Sequence, residues 1–295
     1  MFAVILNPSS GPAGRSRLSA EIADVCRDVG IDAYIRELTD TDRVEMAARE
    51  ALDAHPEALI AAGGDGTVSA VASAAAGTTT PLGVLPLGTL NHFAKDAGIP
   101  LDLQKAVQTI AARHTRRVDV GRVNDRLFLN NASIGVYPSF VESRDRLRDQ
   151  GRSWWTSWAL AAADVLRREG EVVIRIHSGG TKIIAPTPFV FVGNNEYLVE
   201  GIKLGGRTRL DAGELYAYFA PPLRTRHLPA LFARSLFGIA HRQHALRSVT
   251  GPELWVDTPF AATIHVACDG ELMTLATPLH YRSWPAALAV FTPAS

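Results

Sequence analysis

At 295 residues the chain runs longer than one compact domain usually does, so two domains meeting at a cleft are expected. Hydrophobic residues make up 47% of it and charged residues 20%, which excludes a disordered chain. The 30 basic side chains balanced by 30 acidic ones exclude a global field that would draw it onto nucleic acid or an anionic bilayer.

Met1 to Pro8 is a short apolar run stopped by turn residues, the pattern of a strand and not of a signal peptide. No apolar stretch approaches the ~20 residues that cross a bilayer, so a cytoplasmic protein is expected, with any lipid contact peripheral at the inner membrane face. Ala3 to Leu6 predicts a strand, Arg15 to Val29 a helix, Ala33 to Glu37 a strand, and Val44 to Ala54 a helix stopped by Pro56. Ala58 to Ala62 is a strand running into glycines, Val68 to Ala75 a helix, Leu82 to Leu85 a strand and Asp102 to Ala112 a helix. This alternation predicts a parallel sheet covered by helices. From about Arg116 the texture becomes β-rich, with runs such as Val172 to Ile176, Phe189 to Val192 and Leu215 to Phe219 separated by Gly, Asn and Pro. Helical insertions are predicted at about 153–168 and 228–241 in this antiparallel half. Cys26 and Cys268 have neither metal nor redox spacing, which fits small buried side chains in a reducing cytosol.

The strongest local signal is Gly63-Gly64-Asp65-Gly66-Thr67, set between an apolar strand and a helix. Glycines let the backbone approach a phosphate, and the helix start offers unpaired N–H groups and a positive dipole end. Asp65 beside such a cradle would repel phosphate unless it held a cation or met a reacting hydroxyl. The plainer alternative is a tight connection in which Asp65 caps the helix. Two further turns follow strands of the same sheet, Asn7-Pro8-Ser9-Ser10-Gly11 and Pro86-Leu87-Gly88-Thr89-Leu90-Asn91, and should reach the same rim. No Gly-Lys-Ser/Thr phosphate loop occurs, so charge must be met by backbone amides and a metal. Asp269-Gly270 between apolar runs predicts a hairpin whose tip could present Glu271 or Asp269 inward.

These motifs, with Val118-Asp119-Val120-Gly121, Leu129-Asn130-Asn131, Val192-Gly193-Asn194-Asn195 and Asp269-Gly270-Glu271, resemble the diacylglycerol kinase catalytic family, which includes bacterial lipid kinases and sphingosine kinases. The Gly-Gly-Asp-Gly-Thr run alone is shared with NAD kinases and phosphofructokinases; the ordered set is more specific. The resemblance implies an N-terminal nucleotide-binding α/β domain with a parallel sheet (1–122, with a strand at 286–295 returning to it) and a C-terminal antiparallel β-sandwich domain for the lipid (123–285). It implies ATP contacts from Asn7, Thr39 (or Thr41), Gly63, Gly64, Asp65, Gly66, Thr67, Val68, Ser69, Gly88, Thr89 and Asn91. It implies Mg²⁺ held by Asp65 with Asp119, and Glu271, beside Asp269, as the proton acceptor. In relatives the loop at 210–215 can hold a second, structural Mg²⁺; here Ala212 stands where the binding Asp would be, which argues against that ion unless Asp211 or Glu214 compensates.

Trp154, Trp155 and Trp158 follow an arginine-rich run, Arg144 to Arg148, a combination that suits peripheral membrane docking. Equally, Trp154 and Trp158 at i, i+4 could pack onto the β-domain. Two other functions stay open: an NAD-kinase-like soluble kinase, and a non-catalytic lipid or nucleotide sensor of the same fold. The acceptor lipid and the oligomeric state are not legible.

Overall fold

The computed structural model describes residues 1–7, 15–38, 44–135, 172–187, 189–200, 203–219, 246–259 and 261–294. Thr39, Thr41, most of the first turn, the Arg144–Arg148 run, both predicted helical insertions, and Trp154, Trp155 and Trp158 lie outside the described residues. Among the described residues, no helix is long and apolar enough to cross a membrane.

The first half holds β1 (Phe2–Leu6), α1 (Arg15–Asp28), β2 (Ala33–Glu37), α2 (Val44–Asp53), β3 (Leu59–Gly63), α3 (Asp65–Ala75), β4 (Leu82–Pro86), α4 (His92–Asp96) and α5 (Leu103–Ala111). It continues with β5 (Thr115–Val123), β6 (Arg126–Phe128), β7 (Asn131–Gly135), β8 (Val172–Ser178), β9 (Thr181–Thr187), β10 (Phe189–Asn194), β11 (Tyr197–Glu200) and β12 (Lys203–Arg207). The last part holds β13 (Leu215–Phe219), β14 (Arg247–Gly251), β15 (Glu253–Asp257), β16 (Thr263–Cys268), β17 (Glu271–Ala276) and β18 (Leu279–Phe291).

β1, β3 and β4 are buried at every position, as strands covered on both faces must be. They pair in parallel in the order β2-β1-β3-β4. The chain leaves β1 toward β2 on one side and returns to β3 on the other. The crevice beyond the carboxyl ends at such a reversal is where α/β sheets bind ligands. Asn7, Gly63 and Pro86 stand at those ends.

A six-stranded antiparallel sheet, β14-β13-β10-β7-β16-β17, forms one layer of the second half. Its partner layer is the far side of the ten-stranded sheet that begins with the parallel strands, β18-β15-β8-β9 with β5 and β6. Ile134, Val192, Ala217 and Val266 from one layer share a core with Phe128, Ile176, Val256 and Tyr281 from the other. The antiparallel sandwich is therefore continuous with the α/β sheet. The cause is β18: Leu279 to Arg282 pairs with β15 and Leu288 to Phe291 with the first half of β5, while Val290 opposes Leu82 of β4 in parallel. Its register shifts between Trp284 and Leu288, at Pro285, which has no N–H for the ladder, and left-handed Ala286.

Candidate functional site

β3 ends at Gly63 and α3 begins at Asp65, so the helix reaches three residues further back into the glycine turn than the apolar pattern predicts. Gly64 is the N-cap and supplies no side-chain bond; Val68 N–H is bonded to Gly64 O at 3.0 Å. The amides of Asp65, Gly66 and Thr67 precede that ladder and carry the positive end of the helix dipole. Asp65 stands in the first turn of the helix and not at the cap. Val68 is buried in the core and its N–H is taken by Gly64 O, so neither its side chain nor its amide is offered to the rim.

The neighbouring turns close on this one. Asn7 Nδ2, at the end of β1, donates to Thr67 Oγ1 at 3.1 Å. Leu87 N–H donates to Gly63 O at 2.9 Å. A Cβ on Gly88 would stand 2.5 Å from Gly64 Cα, so only glycine permits this approach. Asn91, left-handed at φ 51°, locks the second turn: its Nδ2 donates to Gly88 O at 2.7 Å and its Oδ1 accepts from Gly88 N–H at 3.1 Å. Thr89 is left exposed at the tip. Of the expected residues, Asn7, Gly63 to Thr67, Gly88, Thr89 and Asn91 thus lie in adjoining turns, whereas Val68 enters the core and Ser69 turns its hydroxyl to Asp269.

The second wall comes from the hairpin β16–β17. Cys268 pairs with Glu271 across a two-residue turn in which Asp269 (φ 46°) and Gly270 (φ 89°) are both left-handed, the geometry of a type I′ turn and the reason for Asp-Gly here. The two carboxylates go different ways. Asp269 points inward: Oδ2 accepts from Ser69 Oγ at 2.5 Å and Leu129 N–H at 2.7 Å, and Oδ1 from the N–H groups of Asn130 at 2.8 Å and Asn131 at 3.1 Å. Burial pushes its carboxyl pKa up, against the pull of these four donors, which together occupy the acceptor positions a carboxylate has. Glu271 points across the cleft, its Oε1 3.2 Å from where a Cβ on Gly66 would be. Glu271 therefore stands over the first turn of α3, which Asp65 begins. A cavity of about 380 Å³ runs from Glu271 along α3, lined by Ser69, Ser73, Arg122, Arg126 and Trp284 among others.

Asp119 is buried on β5, and its oxygens accept backbone N–H groups of Ala286 at 2.8 Å and Gly213 at 2.6 Å, joining the bulge of β18 to the 210–214 loop. Asp211 pairs with Arg116 at 2.9 Å and Arg209 at 3.2 Å, and Glu214 Oε2 meets the hydroxyls of Tyr216 and Thr250, both at 3.3 Å. No group of three or more His, Cys, Asp or Glu side chains arranged for a metal occurs among the described residues. The residues that the motifs do not single out are Arg207 and Asp96, which, with Asn194 of the 192–195 motif, hydrogen-bond around residues 129–130. Asn194 Nδ2 donates to Asp119 O at 2.8 Å and Leu129 O at 2.9 Å.

Comparison with known proteins gives the family. Residues 1–123 match the family described as diacylglycerol kinase catalytic domain. The chain is 40% identical to "Probable lipid kinase YegS-like" of Klebsiella pneumoniae over 85% of its own length and 83% of that protein's. The chain belongs to the diacylglycerol kinase family of lipid kinases. Another family member, "Diacylglycerol kinase" of Staphylococcus carnosus, is 33% identical over 71% of this chain and 69% of its own. The crystal structure of a diacylglycerol kinase from Bacillus anthracis shares the family fold, with a TM-score of 0.72 at 19% identity, covering 99% of this chain and 96% of that one.

Proposed function

We propose that the chain transfers the γ-phosphoryl group of ATP to a hydroxyl of diacylglycerol or a closely related lipid. The observation that carries this is the placement of the Glu271 carboxylate over Gly66, in the first turn of the helix whose amides form the anion cradle. The cradle formed by residues 63–67 and 88–91 receives the phosphates through backbone N–H groups. The acceptor hydroxyl enters from the side of Glu271, which takes its proton as the oxygen bonds to the γ-phosphorus and the bond to the β-phosphate bridging oxygen breaks, releasing ADP. Asp269 holds the hairpin in place by its four donors, so that Glu271 meets the hydroxyl in line.

Mg²⁺ is ordinarily bound by one or two carboxylates together with substrate phosphates. Asp65 fits that donor set, because a carboxylate beside an anion cradle is repulsive to phosphate without a cation between them; Asp119, the other expected ligand, fits less well, since it is buried and its two oxygens already accept the N–H groups of Gly213 and Ala286. When bound, the ion would neutralise charge that develops on the phosphates. For a second, structural ion the loop at 211–214 offers Asp211 and Glu214, each already engaged by other side chains.

Incubation with labelled ATP, Mg²⁺ and either a lipid extract containing diacylglycerol or NAD tests the assignment. Label in the lipid pool is expected; label in NAD alone would favour the soluble-kinase alternative, and label in neither a sensor. Asp65→Asn is expected to lower transfer by about a hundredfold or more with an unchanged melting temperature, since ion-assisted charge stabilisation supplies several kcal/mol. Undiminished transfer would remove Asp65 from the mechanism.

A further inference from the structure

We infer that Arg207 and Asp96 form a positioning pair that sets where Glu271 stands over the phosphate turn, an inference that rests on the kinase reading only for its effect on rate. Arg207 ends β12 and its side chain is fully buried; Asp96 ends α4, the short helix launched by the 88–91 turn. Arg207 Nε donates to Asp96 Oδ2 at 2.8 Å, and its backbone N–H to Asp96 Oδ1 at 3.3 Å. Nη1 donates to Leu129 O at 2.7 Å and Asn194 O at 3.0 Å, and Nη2 to Asn130 Oδ1 at 2.7 Å. The guanidinium lies 5.6 Å from the Tyr197 ring centroid, and Tyr197 in turn donates its hydroxyl to Asn130 O at 3.1 Å. A rigid planar fork is used here at nearly every donor, which a lysine could not do.

The segment Leu129–Asn131 is thereby gripped from two sides. Arg207 takes a carbonyl and a side-chain oxygen, and Asp269 takes all three N–H groups. Each gripping residue also hooks the α/β half, Arg207 through Asp96 on α4 and Asp269 through Ser69 on α3. Those two helices follow the two phosphate turns. Glu271 lies two residues beyond Asp269 on the same hairpin, so a displacement of Arg207 passes through residues 129–131 to Asp269 and moves Glu271 relative to Gly66. Gly206 leaves the room that Asp96 needs: a Cβ there would stand 2.9 Å from Asp96 Oδ1.

Two variants separate positioning from mere stability. Arg207→Lys keeps the charge and loses the fork; Gly206→Ala keeps both charged residues and pushes Asp96 aside. In each, measured with ATP and diacylglycerol, kcat is expected to fall about tenfold or more, since ~1 Å of misplacement can cost ~10²-fold. The KM for ATP and the affinity for a fluorescent ATP analogue should stay within about twofold, because neither residue lies in the cradle. Hydrogen exchange at the amides of Leu129, Asn130 and Asn131 should quicken in both variants, a readout that needs no activity. A folded variant with unchanged kcat and unchanged exchange at these three amides overturns the inference. So does a rise in the KM for ATP with kcat preserved. If the parent protein labels no lipid, the kinase assignment fails while the exchange measurement still decides whether Arg207 holds the hairpin.

Discussion

The turn at 63–67 and the turn at 268–271 face each other across the cleft, yet they are held in place by different means. The first is almost self-sufficient: strand, one linking glycine and helix follow without interruption, and its nearest support is another glycine turn packed on Gly64. The second has the local chemistry of a type I′ hairpin, but its orientation depends on Ser69, 200 residues away, and on the amides of 129–131. The glycine-turn wall is thus built from neighbours in sequence and the hairpin wall from a long-range network. Damage to the second should reach the chemistry while sparing nucleotide binding.

Glu271→Gln probes the division most directly. It should lower transfer by roughly 10²–10⁴-fold, the usual worth of a positioned proton acceptor, with nucleotide affinity and melting temperature unchanged. A parallel loss of nucleotide affinity would show that the two walls are not separable. Asp269→Asn comes next. The amide keeps the shape of the carboxylate but brings its own N–H donors against those of the backbone, so a destabilisation of about 1–3 kcal/mol in denaturant unfolding is expected, with a fall in kcat near tenfold. Full stability in that variant would break the claim that the hairpin hangs from its network.

The smallest effect belongs far from either wall. The hydrogen bond from Arg116, and then that from Arg209, holds the Asp211 carboxyl below its ordinary range. A depressed carboxyl stabilises the fold above its unfolded pKa, and that contribution disappears as the pH falls below about 4 and passes the folded value. Because the pair is partly solvent-exposed, its worth is at most about 1 kcal/mol. Asp211→Asn should therefore leave transfer intact and flatten the acid side of a melting-temperature profile slightly; a loss of activity would assign this loop a part in catalysis.

The α/β half was legible because strands buried on both faces read as continuous apolar runs and glycine turns carry their conformation with them. The short α4 was not, since five residues are too few to show a helical period. Nor was the continuity of the ten-stranded sheet, which depends on one long strand changing partners at a bulge. The ion pair of Arg207 with Asp96 joins residues 111 positions apart, and neither belongs to a motif that names the other.

By itself the sequence determined the strand–glycine–helix turn with its aspartate and the Asp-Gly hairpin, because each is encoded by adjacent residues whose backbone preferences act locally. Only the tertiary structure decided that Asp269 turns inward while Glu271 faces the cradle. That choice depends on donors brought from α3 and from residues 129–131, and local preference carries no information about partners so distant along the chain.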